Sequence, residues 1–206
     1  MGSDKTIRLG VFGGTFDPPH LGHLILASEA GDQLSLDRVL WVLTPDPPHK
    51  QGQLISSLEQ RLPLVEAAIQ DNPIFALSKV DIERQAPHYA VDTLLQLRKV
   101  YPTAQLVYVM GGDSLHDLPT WHAPQEFLAA ADELGVMRRP GDEIYLEDLE
   151  RALPGLHSKL RFVDTPLLQI SASDIRRRVA NGRPFRYFLT PAVYTLVLQE
   201  KLYQQE

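Results

Sequence analysis

Apolar residues fall along the chain in two alternating patterns. Short continuous apolar runs at residues 7–12, 38–44, 74–78, 104–110, 132–138 and 159–164 read as buried strands. Helix-type spacing fills residues 21–34, 56–70 and 89–100 between them. Further helical stretches end near residue 131, lie within 141–158, begin at 171–173 and occupy 192–203. A helix between two apolar strands is the βαβ unit of a parallel sheet, so the pattern predicts an α/β fold with a mainly parallel sheet. Ligands in such sheets bind beyond the C-terminal ends of the strands.

The polar interruptions at those strand ends carry the candidate chemistry. The first run stops at Gly13-Gly14, where the backbone turns and a ligand can approach the amides of Gly13, Gly14, Thr15 and Phe16. Asp17-Pro18-Pro19 is turn and helix-entry chemistry. His20 and His23 follow three residues apart, one turn from each other at a helix N-terminus that already favours an anion. Two imidazoles aimed there suit a polyphosphate. Taken singly, Gly-Gly is a common turn and a histidine pair is half a metal site.

The loop after the second strand, residues 45–52, contains three prolines and ends its turn in His49-Lys50, a charged pair at the same sheet edge. It reads equally as a solvated turn. Ser56 or Ser57 caps the next helix, with Glu59 or Gln60 available for a capping box; Pro63 predicts a kink or a later start, and Arg61 could reach toward the site but reads first as a surface arginine. Residues 80–84 alternate and then give way to a loop. Thr93 falls in the first turns of the helix that opens at Tyr89.

Gly111-Gly112-Asp113 closes the 104–110 strand; Asp113 can accept from ribose hydroxyls or a water, or cap the short helix that follows. Trp121 is either a core indole or a surface on which a flat cationic ring stacks. The run Ser171-Ala172-Ser173-Asp174-Ile175-Arg176 then brings a hydroxyl, free amides and a guanidinium to a second helix N-terminus, with Ser173 and Arg176 one turn apart. Arg177 and Arg178 point elsewhere on that helix and read as solvated.

Composition narrows the chemistry. The chain has 206 residues and a net charge of −6, which gives no electrostatic footprint for nucleic acid or an anionic membrane; an anionic substrate must be held by local positive groups. Absence of cysteine excludes disulfides, thiolate zinc and a cysteine nucleophile, and fits a reducing, cytoplasmic setting. No apolar run of about 18 residues occurs, so no transmembrane helix is expected.

Residues 10–24 resemble the GGTFDPxHxGH signature of the nucleotidyltransferase superfamily, and residues 170–176 resemble its ISxTxIR motif with Ser173 where threonine is usual. No Gly-Lys-Ser/Thr follows the glycines, so this is not a Walker-type loop. The middle elements PPHK, YAVDTL, GGDSL, PTW and RRPG are similar to those of bacterial nicotinate mononucleotide adenylyltransferases. The resemblance implies a Rossmann-like, doubly wound sheet with helices on both faces and a small C-terminal helical part. It implies one domain over 1–206, with the phosphate motifs at 10–24 and 170–178 and the helices of 173–203 packed on it. The implied reaction joins nicotinate mononucleotide and ATP into nicotinate adenine dinucleotide and pyrophosphate.

By the same resemblance His20, His23 and Arg176 are catalytic. Gly13, Gly14, Thr15, Phe16, Lys50 and Ser173 hold ATP and its phosphates. His49, Thr93, Asp113 and Trp121 hold the acceptor nucleotide. The family pattern S-Y-T stands here as His88-Tyr89-Ala90, which keeps backbone contacts and alters side-chain ones. Mg²⁺ is expected to arrive on ATP, since no carboxylate cage is evident. No nucleic-acid or membrane partner is expected, and a homo-oligomer stays open. The competing readings are the same transfer to nicotinamide mononucleotide or phosphopantetheine, a non-catalytic nucleotide sensor, and a metalloenzyme built on the two histidines.

Overall fold

The computed structural model describes residues 6–47, 55–138, 145–166 and 168–204. Among them, six strands form one sheet. β1 (Arg8–Gly14), β2 (Arg38–Leu43) and β3 (Phe75–Ser78) are followed by β4 (Gln105–Gly111), β5 (Glu133–Arg138) and β6 (Leu160–Asp164). The order is β3-β2-β1-β4-β5-β6, and every pairing is parallel. The sheet is therefore the doubly wound, Rossmann-like α/β arrangement.

Side-chain alternation along the strands splits the core in two. In β2, Val39, Trp41 and Leu43 enter one core, and Leu40 and Val42 enter the other. In β4, Val107 and Val109 face the first, while Leu106, Tyr108 and Met110 face the second. Both faces are buried, which is why these strands read as unbroken apolar runs rather than as alternation.

The first face is covered by α1 (Leu21–Gln33) and α2 (Leu58–Ile69), then by α8 (Ala172–Ala180) and α9 (Pro191–Gln199), which return to it after β6. The second face is covered by α3 (Ala90–Val100), α5 (Pro124–Ala130), α6 (Leu146–Ala152) and α7 (Leu156–Lys159). The short α4 (Gly112–Asp117) leaves directly from β4. The connections from β1 and β4 thus run to opposite faces. The chain diverges between these two neighbouring strands and opens a crevice beyond their C-terminal ends.

Local signals explain most boundaries. Ser57 is the N-cap of α2, and its amide donates to Gln60 Oε1 at 3.1 Å. Pro63 lies inside α2, yet the helix begins at Leu58, so the proline does not delay the start. Residues 80–83 are turn, not strand. The last helix ends at Gln199, four residues before the expected end, and a turn follows. No helix among the described residues is long and apolar enough to cross a membrane.

Candidate functional site

The crevice is a cleft of about 1260 Å³, larger than the few hundred Å³ that one small ligand needs. Gly13, Gly14, Thr15, Phe16, His20, His23, Ser173 and Arg176 line it, and so do Thr93, Asp113 and Trp121. Residues from opposite ends of the sequence therefore share one cavity. His49 and Lys50, with Arg139 and Gly141 of the RRPG run, lie outside the described residues.

The first wall grows out of β1. Gly14 is required by close approach: a Cβ there would stand 2.7 Å from the Phe16 ring. Phe16 itself has φ 48°, a left-handed backbone that a bulky residue adopts only when its surroundings hold it there. Its ring is wedged edge-on to Phe12 and His23 and tilted against Trp41.

His20 is the N-cap of α1 and is buried at 7 % exposure. Its backbone N–H donates to His23 Nδ1 at 3.2 Å. A neutral His23 therefore carries its proton on Nε2. The two imidazoles stack with centroids 3.7 Å apart. Burial lowers the His20 pKa from 6.5 to about 4, so near neutral pH the free protein holds an uncharged imidazole there. Its Nδ1 is buried without a hydrogen-bond partner among the described residues.

The second motif meets the first directly. Ser171 caps α8 by accepting from the Asp174 amide at 3.1 Å, and its Oγ lies 3.1 Å from Ser173 Oγ. Arg176 Nη1 donates to the Asp17 carbonyl at 2.6 Å, a contact between residues 159 apart in sequence. Of the two following arginines, Arg177 is exposed. Arg178, expected in solvent, instead bonds Asp174 at 2.8 Å and lies over the Phe188 ring at 4.7 Å. Its long stem packs while its head is paired, which helical spacing alone does not show.

Arg61 is the largest correction. It is no surface residue: exposure is 1 %, and its guanidinium donates to the carbonyls of Ser56, Thr15, Thr44 and Pro45 at 2.8, 2.8, 2.9 and 2.6 Å. Desolvation lowers its pKa, and the Asp17 carboxylate opposes that shift. The loops leaving β1 and β2 are tied together through this one side chain.

The far wall is aromatic. Trp121 stands edge-on to Phe127 at 5.2 Å and to Tyr108 at 6.1 Å. Tyr89 stacks on His122 at 4.0 Å, with 19° between the rings. The Thr93 hydroxyl donates to Asp81 Oδ1 at 2.8 Å, and Arg84 donates to the same oxygen at 3.0 Å and to the Pro87 carbonyl at 2.6 Å. Thr93 thus shapes the 81–89 loop with its side chain. The sequence did not single out Asp81 or His122, and marked the buried His88 only as a departure from the family pattern. No group of three or more His, Cys, Asp or Glu side chains that could hold a metal ion occurs among the described residues.

The chain is similar to known proteins over most of its length. The model of the cytidylyltransferase-like family covers residues 11–178. A protein of Thermomicrobium roseum named "Probable nicotinate-nucleotide adenylyltransferase" is 48 % identical over 197 residues, 96 % of this chain and 92 % of its own length. One of the same name from Exiguobacterium sibiricum is 39 % identical, covering 96 % of this chain and 99 % of its own. Among solved structures, the nicotinic acid mononucleotide adenylyltransferase of Plasmodium falciparum complexed with NaAD superposes with TM-score 0.78. It is 16 % identical, covering 96 % of this chain and 97 % of its own, a likeness of fold.

Two predictions follow from the buried groups. Arg61→Met should lower unfolding free energy by about 3 kcal/mol or more in a urea titration, because four carbonyls lose their donor together. His20 should make folding pH-dependent. Its folded pKa, about 4, lies below the unfolded 6.5, so the unfolded chain binds more protons between those values and stability falls as the solution is acidified. Relative to His20→Gln, the wild type should lose about 2 kcal/mol more between pH 7 and pH 5, read from urea unfolding at each pH.

Proposed function

Because the chain belongs to the cytidylyltransferase-like family and, within it, to the nicotinate-nucleotide adenylyltransferases, we propose that it transfers the adenylyl group of ATP to nicotinate mononucleotide. Nicotinate adenine dinucleotide and pyrophosphate are the products, in a step of NAD biosynthesis. The observation that carries this reading is the Arg176–Asp17 contact, which brings both helix N-termini and both polar motifs to one end of a two-nucleotide cleft.

An acceptor 5′-phosphate oxygen attacks the α-phosphorus of ATP. The bond from that phosphorus to the bridging oxygen breaks, and pyrophosphate leaves with the electron pair. The acceptor phosphate is already an anionic nucleophile, so no general base is required. Catalysis comes from alignment and from stabilising charge on the α-phosphate and the departing group. His23 presents its Nε2–H, while its Nδ1 is held by the His20 amide. His20 acts as a neutral group stacked against it, at the N-terminus of α1. Arg176 and Ser173 receive the β- and γ-phosphates at the N-terminus of α8. The amides of Gly13–Phe16 fall beside the triphosphate, and Lys50 is assigned there by its place in the PPHK run.

The acceptor takes the aromatic wall. Trp121 offers a face for the pyridine ring and Asp113 an acceptor for ribose hydroxyls. Backbone near Thr93 receives the carboxylate, and His49, outside the described residues, is assigned to the acceptor by the resemblance of the PPHK run alone. Mg²⁺ would be delivered with ATP rather than held by the protein: of the cleft carboxylates, Asp17 and Asp81 already accept from protein donors. When bound, the ion neutralises phosphate charge.

Two measurements test the reading. His23→Ala should lower kcat by about 10²-fold or more while the circular-dichroism spectrum and unfolding midpoint persist; a folded and fully active variant would refute the role given to His23. Pyrophosphate release should also be compared for nicotinate mononucleotide, nicotinamide mononucleotide and phosphopantetheine with Mg·ATP. We expect kcat/KM at least about 10-fold higher for the acid mononucleotide. Equal turnover of acid and amide would overturn the acceptor assignment, and no turnover with ATP still bound would favour a nucleotide sensor.

A further inference from the structure

Asp17 is buried at 3 % exposure, and its carboxylate serves three distant parts of the chain. The Ser56 amide donates to Oδ2 at 3.1 Å, and the Tyr203 hydroxyl donates to Oδ1 at 2.8 Å. Arg176 Nη1 stands 3.8 Å from Oδ2 while it donates to the Asp17 carbonyl at 2.6 Å. The guanidinium is therefore held by the backbone of Asp17 and only loosely by its charge.

The end of the chain is bent to reach this carboxylate. α9 stops at Gln199, and in the turn beyond it Lys201 and Tyr203 have φ 49° and 64°. Left-handed backbone at non-glycine residues is unfavourable and persists only where surrounding structure holds it. Here the buried Leu202, whose amide donates to the Val197 carbonyl at 3.0 Å, anchors the turn. The Tyr203 ring packs against the first core. Burial and the neighbouring Asp17 raise the phenol's pKa above its ordinary value, so it stays an O–H donor through the physiological range.

Resting on the adenylyl-transfer reading, we propose that Tyr203 is a positioning residue for Arg176, acting through the Asp17 carboxylate. The hydroxyl and the Ser56 amide occupy the two carboxylate oxygens. The carboxylate is thereby kept from closing on Arg176, and the remaining guanidinium N–H groups stay available to phosphate. Without the hydroxyl, Oδ1 loses its donor; the Ser56 hydroxyl, itself bonded to Tyr203, is the neutral replacement, and the Arg176 guanidinium, 3.8 Å from the twin oxygen, is the charged and therefore the stronger one. Arg176 would then be drawn out of the cleft by its own neighbour.

Tyr203→Phe removes one oxygen and leaves the ring in the core, and a double-mutant cycle with Arg176→Ala isolates the coupling. Wild type, both single variants and the double variant are compared in kcat for pyrophosphate release, in the calorimetric Kd for Mg·ATP, and in unfolding midpoint. We expect Tyr203→Phe to lower kcat about tenfold and to weaken Mg·ATP binding in the Arg176 protein. In the Arg176→Ala background both effects should shrink to less than about twofold. Equal losses in both backgrounds, or no loss in either, would overturn the proposal, since a merely structural hydroxyl acts alike with or without Arg176. Should the wild type release no pyrophosphate with nicotinate mononucleotide, the adenylyl-transfer reading fails, and the coupling is still decided by the four Mg·ATP dissociation constants. Asp17→Asn makes a second cut: combined with Tyr203→Phe it should weaken Mg·ATP binding no further than Asp17→Asn alone, and a multiplicative loss would overturn the proposal.

Discussion

A single buried cation holds the edge of the sheet on which the cleft is built. Parallel strands all point their last carbonyls the same way, and the loops that leave β1 and β2 carry carbonyls beyond the strand ladder that need donors. Arg61 answers part of that need with donors to four carbonyls in the loops after β1 and β2. A lysine could not replace it, since only a planar fork spreads its donors widely enough to reach carbonyls on both loops at once. The left-handed Phe16 and the capped start of α1 both sit on the loop that Arg61 fixes.

That anchoring explains the division of the cleft into two unlike ends. Near β1 and α8 the surface is backbone amide, imidazole and guanidinium, gathered at helix N-termini. Near α3 and the Trp121 segment it is ring faces and edges, with Asp81, Arg84 and Thr93 bonded to one another beneath them. An anionic chain and a flat ring would each find one end suited to them. The net charge of −6 makes this local concentration of donors necessary, because the protein as a whole repels what the site is built to hold.

The parts of this arrangement that lie within a few residues of each other were legible in the sequence. Continuous apolar runs marked the six strands because both sheet faces are covered, and the two polar motifs stood at strand and helix ends where free amides are expected. What escaped were side chains whose partners are distant. Arg61 sits in an amphipathic helix where an arginine normally faces water, and only the converging carbonyls of residues 15, 44 and 45 explain its burial. Tyr203 looked like the end of a structural helix; its reach to Asp17 crosses 186 positions. Arg178 needed the ring of Phe188, and the stacking of His122 on Tyr89 joins two loops from different crossovers. Local pattern records the period of an element and its caps, whereas these contacts depend on how elements dock.

The histidine pair shows how desolvation and function meet. A cationic imidazole attracts a polyphosphate more strongly than a neutral one, yet His20 is pushed toward neutrality by burial and its ring lies 3.7 Å from a second imidazole, where two positive charges would repel. A neutral N–H donor attracts the ground-state triphosphate less strongly than a cation would. Under the proposed adenylyl transfer it would still stabilise charge that grows on the α-phosphate, without having tightened the resting complex by the same amount. Interactions that strengthen only along the reaction coordinate raise kcat, whereas those made equally with the ground state raise affinity alone. Burying one histidine, stacking the second on it and fixing that second ring by a backbone amide at 3.2 Å therefore suits a site built for turnover, leaving most of the electrostatic attraction to Arg176 and the helix termini.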